Sequence, residues 1–127
     1  MEEVLKHIIE LSNEIYHELG SGFAECVYQK ALFYELIENN YIVENEKNII
    51  IMYKGHNIGI SRIDLYIKNI NNVNIILELK AIAGSIGYKE LRQLETYKKN
   101  ISDECRGIII NFSQSEKNKN EVEYLIL

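Results

Sequence analysis

The chain has 127 residues, 46% of them hydrophobic and 26% charged, with a formal net charge of −5. That length is expected to form one domain over residues 1–127 with a core that needs no disulfide or structural metal. The acidic balance argues against a long electrostatic groove for phosphates. It leaves room for a carboxylate cluster that holds a hard cation.

Val4, Ile8, Leu11, Ile15 and Leu19 recur at helical spacing, and Gly20-Ser21-Gly22 ends that first helix. A second helical pattern runs from about Phe23 to Asn39, where Asn39-Asn40 stops it. The period then changes. Asn48 to Tyr53 is a β-branched run, Lys54-Gly55-His56-Asn57 a turn, and Ile58 to Ile67 the returning strand. Asn69 to Asn72 is a second turn, leading into an Ile- and Leu-rich strand from Val73 to Ala81. After Gly84 and Gly87 a helix carries Leu91, Leu94 and Tyr97 and ends near Asn100. Gly107 to Phe112 reads as a buried strand, Ser113 to Asn120 as a polar, mobile loop, and Val122 to Leu127 as a last strand. The order ααβββαββ predicts an α/β (α+β) domain with one mixed sheet flanked by helices.

No apolar run is long enough to span a membrane. The N-terminal stretch is charged throughout, unlike a signal peptide, so an intracellular location is expected. Cys26 and Cys105 lack metal-ligand spacing and read as reduced core side chains.

Two strands carry polar residues where apolar ones are the rule. Strand alternation puts Arg62 with Asp64 on one face, and Glu78 with Lys80 on one face. A carboxylate in such a strand is costly unless it is paired or binds a cation. Asp64 and Glu78 on neighbouring strands form an oxygen-donor site suited to Mg²⁺ or Mn²⁺. Lys80 is placed to orient or deprotonate a water beside a phosphate.

Asp64 followed by Glu78-Leu79-Lys80 resembles the signature of the PD-(D/E)XK nuclease superfamily. Gly22-Phe23-Ala24-Glu25-Cys26-Val27-Tyr28 resembles the motif that names the GxxExxY family within it. The likeness extends through Tyr28-Gln29-Lys30-Ala31-Leu32, Arg62-x-Asp64, Gln93 with Tyr97, and Ile110-Asn111-Phe112.

The resemblance implies a restriction-endonuclease-like core. It also implies a metal-dependent DNA nuclease in which Glu25, Asp64 and Glu78 hold Mg²⁺ or Mn²⁺ and Lys80 assists the water. Gln93 and Tyr97 would support the site. Arg62 is either an ion-pair partner or a phosphate contact, and Tyr28 a packing or hydrogen-bonding residue. Two departures stand out. Glu90 occupies a position where relatives often carry His, and Ile63 replaces the Pro before Asp64.

A homodimer is expected by the same analogy, as is a possible protein partner that supplies specificity. The rival expectation is a catalytically silent nucleic-acid-binding or structural protein that keeps the fold. Lys98-Lys99 and Lys117 to Lys119 read as solvated, with phosphate contact the lesser reading.

Overall fold

The computed structural model describes residues 1–101, 103–115 and 121–127. Its elements are α1 (Glu2–Leu19), α2 (Glu25–Glu38), β1 (Ile42–Tyr53), β2 (His56–Ile70), β3 (Val73–Lys80), α3 (Tyr88–Asn100), β4 (Cys105–Asn111) and β5 (Glu123–Ile126). The five strands form one sheet in the order β1-β2-β3-β4-β5. Every neighbouring pair is antiparallel except β3–β4, whose parallel pairing requires the α3 crossover. This is the mixed sheet with flanking helices that the element order predicts, and it is a restriction-endonuclease-like fold.

Helices cover both faces. The apolar stripes of α1 (Leu5, Ile8, Leu11, Ile15) and α2 (Tyr28, Leu32, Leu36) pack on Leu65, Ile67, Ile75, Leu77, Ile108, Ile110 and Phe112. On the other face, Leu94 and Tyr97 of α3 pack with Ile49, Ile63, Tyr66, Ile76 and Ile109. Gly107 allows the close approach of α3, because a Cβ there would lie 2.7 Å from the Leu94 side chain. β3 is central and buried from Asn74 to Leu79, which makes its polar members Asn74 and Glu78 exceptional.

Several boundaries differ from the sequence expectation. The hairpin turn is only Lys54-Gly55, both at positive φ (47° and 79°), so Tyr53 pairs directly with His56. Asn71-Asn72 close the next hairpin in the same left-handed conformation (52° and 66°), and β2 runs on to Ile70. β1 begins at Ile42 rather than Asn48. Its first half is an edge strand whose Glu44 pairs with Lys47 and Lys68, so it lacks the apolar alternation that marks a strand. α2 begins at Glu25, after the Gly20–Ala24 loop.

Cys105 is buried, but Cys26 is exposed: it faces outward on α2, and the core reading fails for it. The polar loop expected at Ser113 to Asn120 has no helix or strand through Ser115. Its remainder, including Lys117 to Lys119, lies outside the described residues. No helix among the described residues is long and apolar enough to cross a membrane.

Candidate active site

The β2–β3 ladder runs from Ile70↔Val73 to Leu65↔Leu77 and then stops. One more pair would set Asp64 opposite Glu78. Instead, the Leu79 N–H donates to Asp64 Oδ2 at 2.8 Å, and the Asp64 N–H donates to Glu78 Oε1 at 3.2 Å. Each carboxylate takes the place of a ladder carbonyl on the opposing strand. The strands part here, and the two carboxylates stand at the fork.

A second irregularity coincides with the first. The β1–β2 register holds on both sides of Glu46 and Asp64 but skips that pair, and Glu46 has φ 57°. Ile63 packs on the α3 side, whereas Leu65 packs on the α1/α2 side. The strict alternation expected to put Arg62 and Asp64 on one face therefore slips at Asp64. Arg62 still stands close enough to lower the pKa of Asp64, and it pairs with Glu46 at 3.6 Å as an exposed ion pair.

The electrostatics at the fork are strained. Glu78 is 4% exposed, and burial, reinforced by the Asp64 charge, pushes its pKa up to about 8. The Asp64 N–H and Lys80 oppose that rise without cancelling it. Burial also raises Asp64, against the Leu79 N–H, Lys80 and Arg62. Glu25, the first residue of α2, is raised by burial and then by Asp64, while Lys80 lowers it. The Lys80 ammonium thus acts on all three carboxylates, and it also lowers Glu90.

The spacing of Gly22, Glu25 and Tyr28 has a local explanation. Gly22 adopts φ 108°, which favours glycine. Tyr28 is fully buried, stacks on Phe112 (4.5 Å, 8°), and donates its hydroxyl to the Gly20 carbonyl at 2.6 Å. Gln114 accepts the Gly22 N–H at 2.7 Å and donates to the Tyr28 hydroxyl at 3.3 Å. Tyr28 and Gln114 thereby fix the loop that delivers Glu25. Tyr28 itself points into the core, not toward the fork.

On the α3 side, Gln93 donates to the Tyr97 hydroxyl at 2.8 Å and Ser61 donates to it at 3.1 Å. Tyr97 donates its hydroxyl to the Arg62 carbonyl at 3.3 Å. Burial raises its pKa, and the charges of Glu78 and Asp64 add to the rise. Gln93 reaches the site only through Tyr97. Glu90, in the position of the missing His, accepts the Gly87 N–H at 3.0 Å and caps α3.

Several supporting roles go beyond the sequence reading, in which Gln29 and Asn111 stand only as parts of the resemblance and Gln114 is not singled out. Gln29 donates to the Asp64 carbonyl at 3.2 Å, holding that backbone in place. Asn111 clamps the loop that leaves Lys80 by bonding the Ile82 N–H and the Gly84 carbonyl. A buried Asn in an apolar strand is the same signal that exposes Asp64. Gln114 and Gln29 carry no such signal.

Among the described residues no group of three or more His, Cys, Asp and Glu side chains is placed to hold a metal ion, Glu25, Asp64 and Glu78 included. Mg²⁺ does not need one, since it commonly binds one or two carboxylates plus waters and a phosphate. The donors here are hard oxygens. No side-chain nitrogen or oxygen among the described residues is both sealed from solvent and unbonded. Burial is the main cause of the raised pKa of all three carboxylates, and the Asp64 charge adds to it at Glu25 and Glu78. Asp64 and Glu78 supply carboxylate oxygens, the donor type that Mg²⁺ takes.

No curated protein matches the sequence. The fold is similar to that in the crystal structure of SSO0001, with a TM-score of 0.54 at 20% sequence identity, over 81% of this chain and 49% of that one. The chain thus spans about half the length of that solved relative. The family model of the PD-(D/E)XK nuclease superfamily matches residues 2–124. This match covers nearly the whole chain, together with the forked strands that carry Asp64 and Glu78, and the chain belongs to the PD-(D/E)XK nuclease superfamily.

Proposed function

We propose that this chain is a divalent-metal-dependent phosphodiester hydrolase acting on DNA, within the GxxExxY branch of its superfamily. The observation that carries this reading is the fork, where three carboxylates and Lys80 are coupled electrostatically and Glu78 is held at a pKa of about 8. The Gly22–Glu25–Tyr28 arrangement supports the branch, and the superfamily resemblance supports DNA as the substrate. Two unpaired cysteines accord with an intracellular, reducing setting.

Asp64 and Glu78, with Glu25 beside them, would hold Mg²⁺ or Mn²⁺. A bound ion supplies Lewis acidity at the phosphate and lowers the pKa of water. The chain supplies the rest. Lys80 positions the attacking water and offsets charge that develops on the phosphoryl oxygens. Arg62, at the rim, is available to a phosphate once it leaves Glu46. Tyr97, pinned by Gln93 and Ser61, fixes the strand segment that precedes Asp64.

The test is cleavage of single- and double-stranded DNA, with RNA as a comparison, in Mn²⁺ against chelator. Metal-dependent cleavage that Asp64→Asn and Lys80→Ala abolish is expected. A protein that binds no Mn²⁺ by calorimetry and cuts no DNA refutes the reading. That result supports a silent nucleic-acid-binding or structural role, and the net charge of −5 favours the structural one. Cleavage that appears only with a co-purifying protein assigns specificity to a partner.

A further inference from the structure

α2 and the first half of β1 leave a groove of about 340 Å³ between them, within the range of small-ligand sites, about 300–1,000 Å³. The groove adjoins the fork. Cys26, next to Glu25, lies on its α2 wall, and so does Gln29, which donates to the Asp64 carbonyl. Glu46 lies on the β1 wall, where the ladder skips its pairing with Asp64.

The walls combine aromatic, cationic and amide groups. Phe33 and Tyr34 meet edge to face with ring centroids 5.6 Å apart, and Tyr34 is 53% exposed. Lys30 is exposed and forms no ion pair among the described residues. The amides are oriented by the backbone. The Asp64 carbonyl can only accept, so it is the Gln29 Nε2 that faces it, and the same Nε2 donates to Asn45 Oδ1 at 3.0 Å. Gln29 Oε1 and Asn45 Nδ2 have no hydrogen-bond partner among the described residues. Gln29 is only 8% exposed, yet its Oε1 is not sealed, since no sealed side-chain oxygen there lacks a bond. An unused acceptor and an unused donor thus stand side by side in the groove, near an exposed ring.

A chain of net charge −5 does not hold a strand by a run of phosphate contacts, and the groove offers one cation, with Glu46 engaged by Arg62. Stacking is the other source of affinity for nucleic acid, because every base has a π face. A base edge also carries a donor beside an acceptor, and in a duplex pairing and stacking occupy both edge and face. We propose that this groove receives one unpaired base of a single-stranded DNA substrate, stacked on Tyr34 with its edge on Gln29 and Asn45, while Lys30 meets a neighbouring phosphate. The scissile phosphate then lies at the fork, so the assignment rests on the nuclease reading and adds strandedness to it.

The test is fluorescence anisotropy in Ca²⁺, a hard cation that carboxylate oxygens accept. The probes are a short labelled single strand, the blunt duplex of the same sequence, and an abasic strand with the same phosphates. The parent is expected to bind the single strand about tenfold more tightly than the duplex or the abasic strand. Tyr34→Ala should erase that preference, and Tyr34→Phe, which keeps the ring, should retain it. Both should keep the parent's circular dichroism spectrum, because Tyr34 is half exposed. Equal binding of all probes by the parent, binding of none, or a preference that survives Tyr34→Ala overturns the proposal. Cleavage in Mn²⁺ separates the two readings. A chain that cuts DNA without base preference keeps the nuclease reading and loses the groove. One that prefers bases through Tyr34 but never cuts keeps the groove as a base-binding site and loses the nuclease reading.

Discussion

Asn111 and Glu78 occupy similar places, near the ends of adjacent central strands and almost without exposure, yet the fold treats them in opposite ways. Asn111 accepts the Ile82 N–H and donates to the Gly84 carbonyl and to Glu123 Oε1. Glu123 in turn accepts the Ile86 N–H, so the whole Ile82–Gly87 loop is tied down through neutral amides and one carboxylate. Glu78 receives a single N–H and faces another carboxylate. A buried polar group that its surroundings satisfy is architecture. One whose ionised form burial and a second carboxylate disfavour is a candidate for function.

Substitution should separate the two most sharply. Glu78→Gln keeps the acceptor for the Asp64 N–H and removes the charge. Loss of a metal ligand forfeits several kcal/mol of charge stabilisation, so cleavage should fall on the order of 10³-fold. Urea unfolding at pH 8 should show the variant no less stable than the parent. Asn111→Ala should do the reverse first. It strands the Ile82 N–H and the Gly84 carbonyl and leaves Glu123 with the Ile86 N–H, and stability should drop by about 2–4 kcal/mol. If Glu78→Gln retains full cleavage, Glu78 is architectural too and the contrast collapses.

The pH dependence of stability gives a smaller effect with a definite sign. Glu78 titrates near its ordinary value of 4.5 in the unfolded chain and at about 8 in the folded one. The folded state therefore binds the proton more tightly, and the associated stability is complete below pH about 4.5. It is lost as pH rises through about 8, at about 1.4 kcal/mol per unit of displacement. Asp64 and Glu25 shift in the same direction. Melting temperature should fall from pH 5 to pH 8 in the parent and change much less in Glu78→Gln. Mn²⁺ should restore it at pH 8, where it meets no competing proton. A flat profile for the parent would remove the raised pKa of Glu78 from the account.

The same contrast explains what was legible in the sequence. Asp64, Glu78 and Lys80 were visible because polar residues interrupt apolar strands, and Glu25 only through its place in the motif of the family that the sequence resembles. The sheet was legible through its central strands, whose burial writes an apolar run. The first half of β1 was not, since an edge strand with Glu44 and Lys47 has no such pattern. The slip at Glu46 and Asp64 was hidden as well, because neither residue is a glycine that would announce a positive φ or a broken alternation. Gln29 and Gln114 act through hydrogen bonds to groups far away in sequence, which no local spacing records.

Gln114 provides the finest test of how the site is assembled. It joins the loop after β4 to the Gly22 N–H and the Tyr28 hydroxyl, so its effect on the fork must pass through Glu25. Gln114→Ala should lower stability by only about 1 kcal/mol, since the groups it leaves lie at a partly exposed surface. Its effect on cleavage should depend on whether Glu25 is present. In the parent, a loosened Gly20–Ala24 loop misplaces Glu25 and activity should fall several-fold. In Glu25→Gln that carboxylate is already gone, and the same substitution should change little. Such a double-mutant cycle measures the coupling directly. Equal losses in both backgrounds would make Gln114 a packing residue and detach the loop from the fork.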